Sequence, residues 1–214
     1  DVLEANGLEL DLTPERAAQT LARSGFTFMF AARYHPAMRN VAPVRRELGV
    51  RTIFNVLGPL TNPARATHQV IGVARAELLE PVAAVMRELG TQAAAIVHGP
   101  GGIDEVGGDG VTQVVSFDGN GTRRWTLDPG EFGVHASREA LGGGSLAACS
   151  EAFLGILAGE ASSRADVVAL NAALALLLCE RAFTMEEAYE LARSVQRSGA
   201  ALKTFEAAKA ASRG

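Results

Sequence analysis

Apolar residues along the chain change their spacing several times, and each change marks an element. Residues 1–6, followed by Gly7, have the pattern of a helix end with a left-handed glycine cap. Thr13 and Pro14 then form an N-cap and first helical position. Ala17, Ala18, Leu21 and Ala22 follow at helical spacing until Gly25 closes the run. The aromatic stretch 26–30 predicts a short strand. Residues 69–73 predict a second strand and 77–89 an amphipathic helix closed by Gly90. Residues 93–97 are small and apolar throughout, as in a parallel strand buried on both faces. A strand–helix–strand unit of this length implies a right-handed crossover. Residues 112–117 and 123–127 flank the turn Asp118-Gly119-Asn120-Gly121 and predict a β-hairpin.

The remainder has helical spacing. Gly142-Gly143-Gly144 is a flexible joint before a helix predicted over 146–158. Residues 165–180 are apolar around most of a helical circumference and are expected to be buried. Thr184-Met185-Glu186-Glu187 is a capping box opening a helix that ends near Gly199, and a last helix spans 200–211. The fold class expected from this order is α/β, with a mainly parallel central sheet flanked by helices and a β-hairpin.

The stretch from Phe28 to Pro63 departs from simple scaffold composition. His35, Arg39, Arg45, Arg46 and Arg51 place an imidazole and four cations close together, and Gly58, Pro59 and Pro63 fix a tight loop after them. A continuous helix would hold His35 and Arg45 about 15 Å apart along its axis. Pro43 lies between them and should break the helix near Val41, so that both side chains converge. The pattern suggests a pocket for a small anion. The guanidinium of Arg45 can grip a carboxylate through two parallel hydrogen bonds, although a solvated helix face explains the same residues. His35 either caps a helix or meets a planar ligand.

A second candidate lies in the Gly-rich segment after the apolar strand at 93–97. There Asp104 and Glu105 stand at the carboxyl edge of the sheet, where α/β proteins bind ligands. Two hard carboxylates with room for water suit Mg²⁺ shared with phosphate oxygens. An exposed acidic pair is the alternative. His98 and Asn171 have the look of structural residues. The GPGG segment lacks the Lys and Ser/Thr of a nucleotide P-loop.

Composition narrows the classes. With 214 residues and 48% apolar content, the chain can bury a sizeable core. A net charge of −4 disfavours nucleic acid as a partner. Cys149 and Cys179 have no metal-ligand spacing and fit reduced residues of a cytoplasmic protein. No basic-then-apolar leader and no apolar run of about 18 residues is present, so no membrane association is expected.

RYHPAMRNVAPVRRELGVRTIFNVLGPLTNP and HGPGGIDEV together resemble the anthranilate phosphoribosyltransferase family over residues 1 to about 210. The resemblance implies transfer of a phosphoribosyl group from phosphoribosyl pyrophosphate to anthranilate in tryptophan biosynthesis. It matches Arg45 to the arginine that contacts anthranilate. Gly58 and Pro59 match the loop that packs on the anthranilate ring, His35 is implied as a substrate contact, and Met38, Ala31 and Ala32 line the entrance. Asp104 and Glu105 match the segment holding Mg²⁺ on the pyrophosphate. No general base is assigned, because an aromatic amine is largely unprotonated at neutral pH. The implied architecture is of the nucleoside phosphorylase/phosphoribosyltransferase type. It divides the chain into the start of the α/β domain (1–33), a helical segment of a second domain lining the pocket (34–66) and the main α/β domain (67–214). A homodimer is implied for the full-length enzyme. The family's GTGGD loop and KHGNR segment have no counterpart here. The chain is therefore expected to be the C-terminal two-thirds of the enzyme, binding phosphoribosyl pyrophosphate poorly and turning over little. The alternatives are a pyrimidine nucleoside phosphorylase-like enzyme and a non-catalytic ligand-binding fragment of the same fold.

Overall fold

The computed structural model describes residues 1–35, 47, 58 and 60–214. The expected helix break near Val41 lies outside these residues. The chain divides into two compact units, each assembled from separated stretches: 1–58, 143–159 and 197–214 in one, and 59–142 and 160–196 in the other.

In the first unit the regular elements among the described residues are helices. Helix α1 is Val2–Ala5, α2 is Pro14–Ser24 and α3 is Ala31–Tyr34. Thr13 caps α2 by accepting from the Arg16 N–H, Pro14 sits at its start, and Gly25 ends it at φ 77°. The buried stripe of α2 is Ala17 and Thr20, whereas Leu21 is 48% exposed. Thr20 tolerates burial because its hydroxyl donates to the Arg16 carbonyl at 2.9 Å. The two further helices of this unit, Leu146–Ala158 and Ala200–Arg213, carry Phe153 and Phe205, which meet edge to face at 5.0 Å. Phe26 and Phe28 pack on the same cluster. This is why the aromatic stretch 26–30 is not the strand its composition predicts. Its rings lie on helices, and among the described residues its backbone has no ladder partner.

The second unit holds a four-stranded sheet in the order β1 (His68–Gly72), β2 (Ala93–His98), β3 (Thr112–Asp118), β4 (Gly121–Leu127). Among the described residues the sheet is mixed. It is parallel between β1 and β2, and antiparallel between β2 and β3 and between β3 and β4. The α/β class is as expected, but the sheet is parallel at one pairing only. The β3–β4 hairpin turns through Gly119-Asn120 as its sequence dictates, and β3 enters against β2 from the opposite direction. Helix α4 (Leu79–Glu88) connects β1 to β2 and packs on β2. Short α5 is Arg138–Leu141. In the full chain order α6 and α9 are the two helices of the first unit named above. Helix α7 (Ser163–Leu178) packs on β1 and β2, and α8 is Met185–Arg197. Ala95 and Val97 of β2 share a core with Leu170 and Leu174 of α7. The small residues of β2 let helices approach closely, and the strand is buried along almost its whole length. Helix α7 is not buried all round: Val168, Ala172 and Ala175 form an exposed stripe. Apolar composition set that expectation, but the unit covers only one broad side of the helix.

Candidate active site

The carboxyl edge of the parallel pair is built by close backbone approach. Strand β1 ends at Gly72 and the Val73 N–H reaches the Val97 carbonyl of β2 at 2.9 Å. After β2, Gly99 leads into a tight turn in which Gly101 and Gly102 adopt φ 66° and 82°. The Gly99 N–H closes the turn on the Ile103 carbonyl at 2.9 Å. Only glycine takes such values without strain, so the run of glycines is set by geometry. The turn delivers Asp104 and Glu105 to the sheet edge.

Three contacts hold this dipeptide. A methyl group on Gly72 would overlap the Asp104 carbonyl, and one on Gly99 would overlap the Glu105 carbonyl, so both glycines permit the loop's seat. Val106, fully buried, has its N–H accepted by Asn171 Oδ1 at 2.9 Å, and Asn171 Nδ2 donates to the Val106 carbonyl at 3.0 Å. The Gly107 N–H donates to Thr112 Oγ1 at 3.3 Å. The backbone on either side of the carboxylates is fixed, while both side chains are exposed.

Among the described residues neither Asp104 nor Glu105 has an ion-pair partner. Partial withdrawal from water raises the Glu105 pKa above its ordinary value, and the neighbouring Asp104 charge adds to the rise. Among the described residues the pair is thus an acidic centre without a paired cation. Its donor set, two hard oxygen ligands with open sides, fits a small divalent cation that keeps waters and shares phosphate oxygens. No described cluster of three or more such side chains exists, so any cation here needs ligands beyond this protein's described residues. His98, at the end of β2, donates Nδ1–H to the Val73 carbonyl at 2.9 Å and supports the same edge. Arg138 extends Nη1 to the Gly101 carbonyl at 3.5 Å.

Of the other expected site residues, His35 is the half-buried C-cap of α3, with its N–H on the Ala31 carbonyl at 2.9 Å. Among the described residues, and leaving aside its chain neighbours, nothing lies within 4 Å of a methyl group built on Gly58. Arg45, Met38 and Pro59 lie outside the described residues. A cavity of about 470 Å³ lies at the opposite, amino-terminal edge of the strands, between His68, Ala93 and Phe117. It includes none of the expected site residues.

The family model "Glycosyl transferase family, a/b domain" matches residues 1–202. The chain belongs to that family. Within this glycosyl transferase family the chain is 46% identical over 213 residues to anthranilate phosphoribosyltransferase of Thermomicrobium roseum, covering 98% of this chain and 61% of that enzyme. The crystal structure of anthranilate phosphoribosyltransferase from Thermus thermophilus superposes with a TM-score of 0.91 at 42% identity, covering all of this chain and 64% of that one. The Saccharomyces cerevisiae enzyme, whose structure is described as a complex with PRPP and Mg, gives a TM-score of 0.81 at 25% identity over 99% of this chain and 62% of its own. The chain therefore spans somewhat over three-fifths of the relatives it matches, in their C-terminal part. Among the described residues no single helix is long and apolar enough to cross a membrane.

Gly72, Thr112 and Asn171 were not among the site residues expected from sequence. Gly72 left a signal, since a glycine inside a β-strand pattern marks close backbone approach. Thr112 left none. Asn171 did, as a single amide in an otherwise apolar helical run.

Proposed function

We propose that this protein transfers the phosphoribosyl group of phosphoribosyl pyrophosphate to anthranilate. The observation that carries the reading is the Asp104–Glu105 pair, without an ion-pair partner among the described residues, on a pinned loop at the sheet's carboxyl edge, in a chain 46% identical to an anthranilate phosphoribosyltransferase. In this reading Asp104 and Glu105 hold Mg²⁺. When bound, the ion neutralises charge on the departing pyrophosphate. Arg45 takes the anthranilate carboxylate in a bidentate grip that fixes the ring plane. His35, Met38, Gly58 and Pro59 form the wall against that ring. The anthranilate nitrogen lone pair forms a bond to C1 of the ribose as the C1–O bond to pyrophosphate breaks. The amine then loses a proton to solvent. Alignment of the two substrates lowers the barrier, with no general base required.

The reading extends to tryptophan biosynthesis, a cytoplasmic location and a homodimeric enzyme. Incubation of the whole enzyme to which this chain belongs with anthranilate, phosphoribosyl pyrophosphate and Mg²⁺ should consume anthranilate fluorescence, and chelation by EDTA should stop it. Arg45→Ala should raise the anthranilate KM about 10- to 100-fold, the range expected for losing a charge-assisted pair. Phosphorolysis of thymidine or uridine, with anthranilate untouched, would instead assign the protein to nucleoside phosphorylase chemistry.

A further inference from the structure

We propose that Asn171 is a positioning residue for the Asp104–Glu105 loop, holding the two carboxylates ready for the cation through a bidentate clamp on the Val106 backbone. The inference rests on the metal reading of that loop given above.

Asn171 occupies the middle of α7, whose neighbouring positions are alanine, leucine and valine. An asparagine there is unfavourable for the helix, because its amide competes for backbone hydrogen bonds. Its polar groups are instead fully used. Oδ1 accepts from Val106 N–H at 2.9 Å, and Nδ2 donates to the Val106 carbonyl and to the Val167 carbonyl, each at 3.0 Å. One side chain thus satisfies both backbone groups of a residue that has no exposed surface. Buried backbone groups without partners are costly, so Val106 cannot keep this place if the amide is removed.

What the clamp restrains is the torsion next to Glu105. The loop on the far side is seated by backbone contact at Gly72, and beyond Val106 by Thr112 Oγ1. Between those two anchors the Asn171 amide is the side-chain contact nearest in sequence to the carboxylates. Outer contacts that orient metal ligands typically govern affinity by about 10- to 100-fold.

The test uses Mn²⁺ alone as probe, followed by paramagnetic broadening of the Val106 and Gly107 amide signals, with amide exchange and thermal unfolding measured alongside. Asn171→Ser, which keeps a polar group at lower volume, and Asn171→Ala should each weaken Mn²⁺ binding about tenfold or more and speed exchange at Val106. Leu170→Ala, a neighbouring core truncation on the same helix, should lower Tm without moving Mn²⁺ affinity. Asp104→Asn combined with Glu105→Gln, with Asn171 intact, should abolish the broadening. If that double variant still binds Mn²⁺ as the parent does, the metal reading fails and the positioning role falls with it. If it abolishes binding while Asn171→Ser binds like the parent, or while Leu170→Ala weakens binding equally, the metal reading stands and the positioning role is overturned.

Discussion

Gly72 has no side chain, and the Asp104 carbonyl occupies the space where one would project. Gly72→Ala must therefore push the loop away or strain β1. Overpacking of this kind costs about 1–3 kcal/mol, which for a chain of this size lowers Tm by roughly 2–10 °C. A melting curve checks it, and an unchanged Tm would mean that the loop moves freely. Glu105 gives a pH prediction. Its folded pKa lies above the ordinary 4.5 because burial and the Asp104 charge both disfavour ionisation. The fold therefore bears a penalty that is absent below the ordinary value and complete above the raised one. Glu105→Gln should raise Tm at pH 7–8, with the gain vanishing as the pH approaches 4. At this scale the carboxylates were legible in the sequence, since a Gly-rich loop after an apolar strand announces a sheet edge. Their supports were legible only as odd residues: Gly72 and Asn171 stand out in their runs and Thr112 does not, but none shows its contact with the loop, which forms only after distant segments fold together.

Elements with local determinants follow the sequence closely. Helix α6 runs over Leu146–Ala158 as its pattern predicts, with Ser145 accepting from the Ala148 N–H at 3.2 Å. The N-cap at α8 also forms: Thr184 Oγ1 accepts from the Glu187 N–H at 3.2 Å, while the Glu187 carboxylate accepts from the N–H of Phe183, one residue before the cap, at 2.9 Å. Thr184→Ala should cost about 1 kcal/mol in urea unfolding. Elements defined by partners were less legible. Phe26 and Phe28 look like strand residues, yet extended chain becomes a strand only when another strand supplies hydrogen bonds. Here the rings serve a helical cluster instead. Likewise the apolar circumference of α7 records composition, while packing leaves Val168 45% exposed.

At the scale of the molecule, two units each drawn from separated stretches could not be read from local patterns. Periodicity reports which face of an element is apolar, but says nothing about which distant element will cover it. The sheet's class was legible because crossover and hairpin signals are local, whereas the antiparallel entry of β3 depended on the loop that carries Asp104 and Glu105. That loop joins the fold to the proposed chemistry, and its claim is open to a direct measurement. Crystals of the protein grown with phosphoribosyl pyrophosphate and Mn²⁺ in place of Mg²⁺ would locate the ion by anomalous diffraction. The account predicts an anomalous peak in direct contact with carboxylate oxygens of both Asp104 and Glu105, at about the 2.1 Å of an octahedral Mg²⁺ site. A peak held only by other residues, or none at this sheet edge with phosphoribosyl pyrophosphate bound, would contradict it.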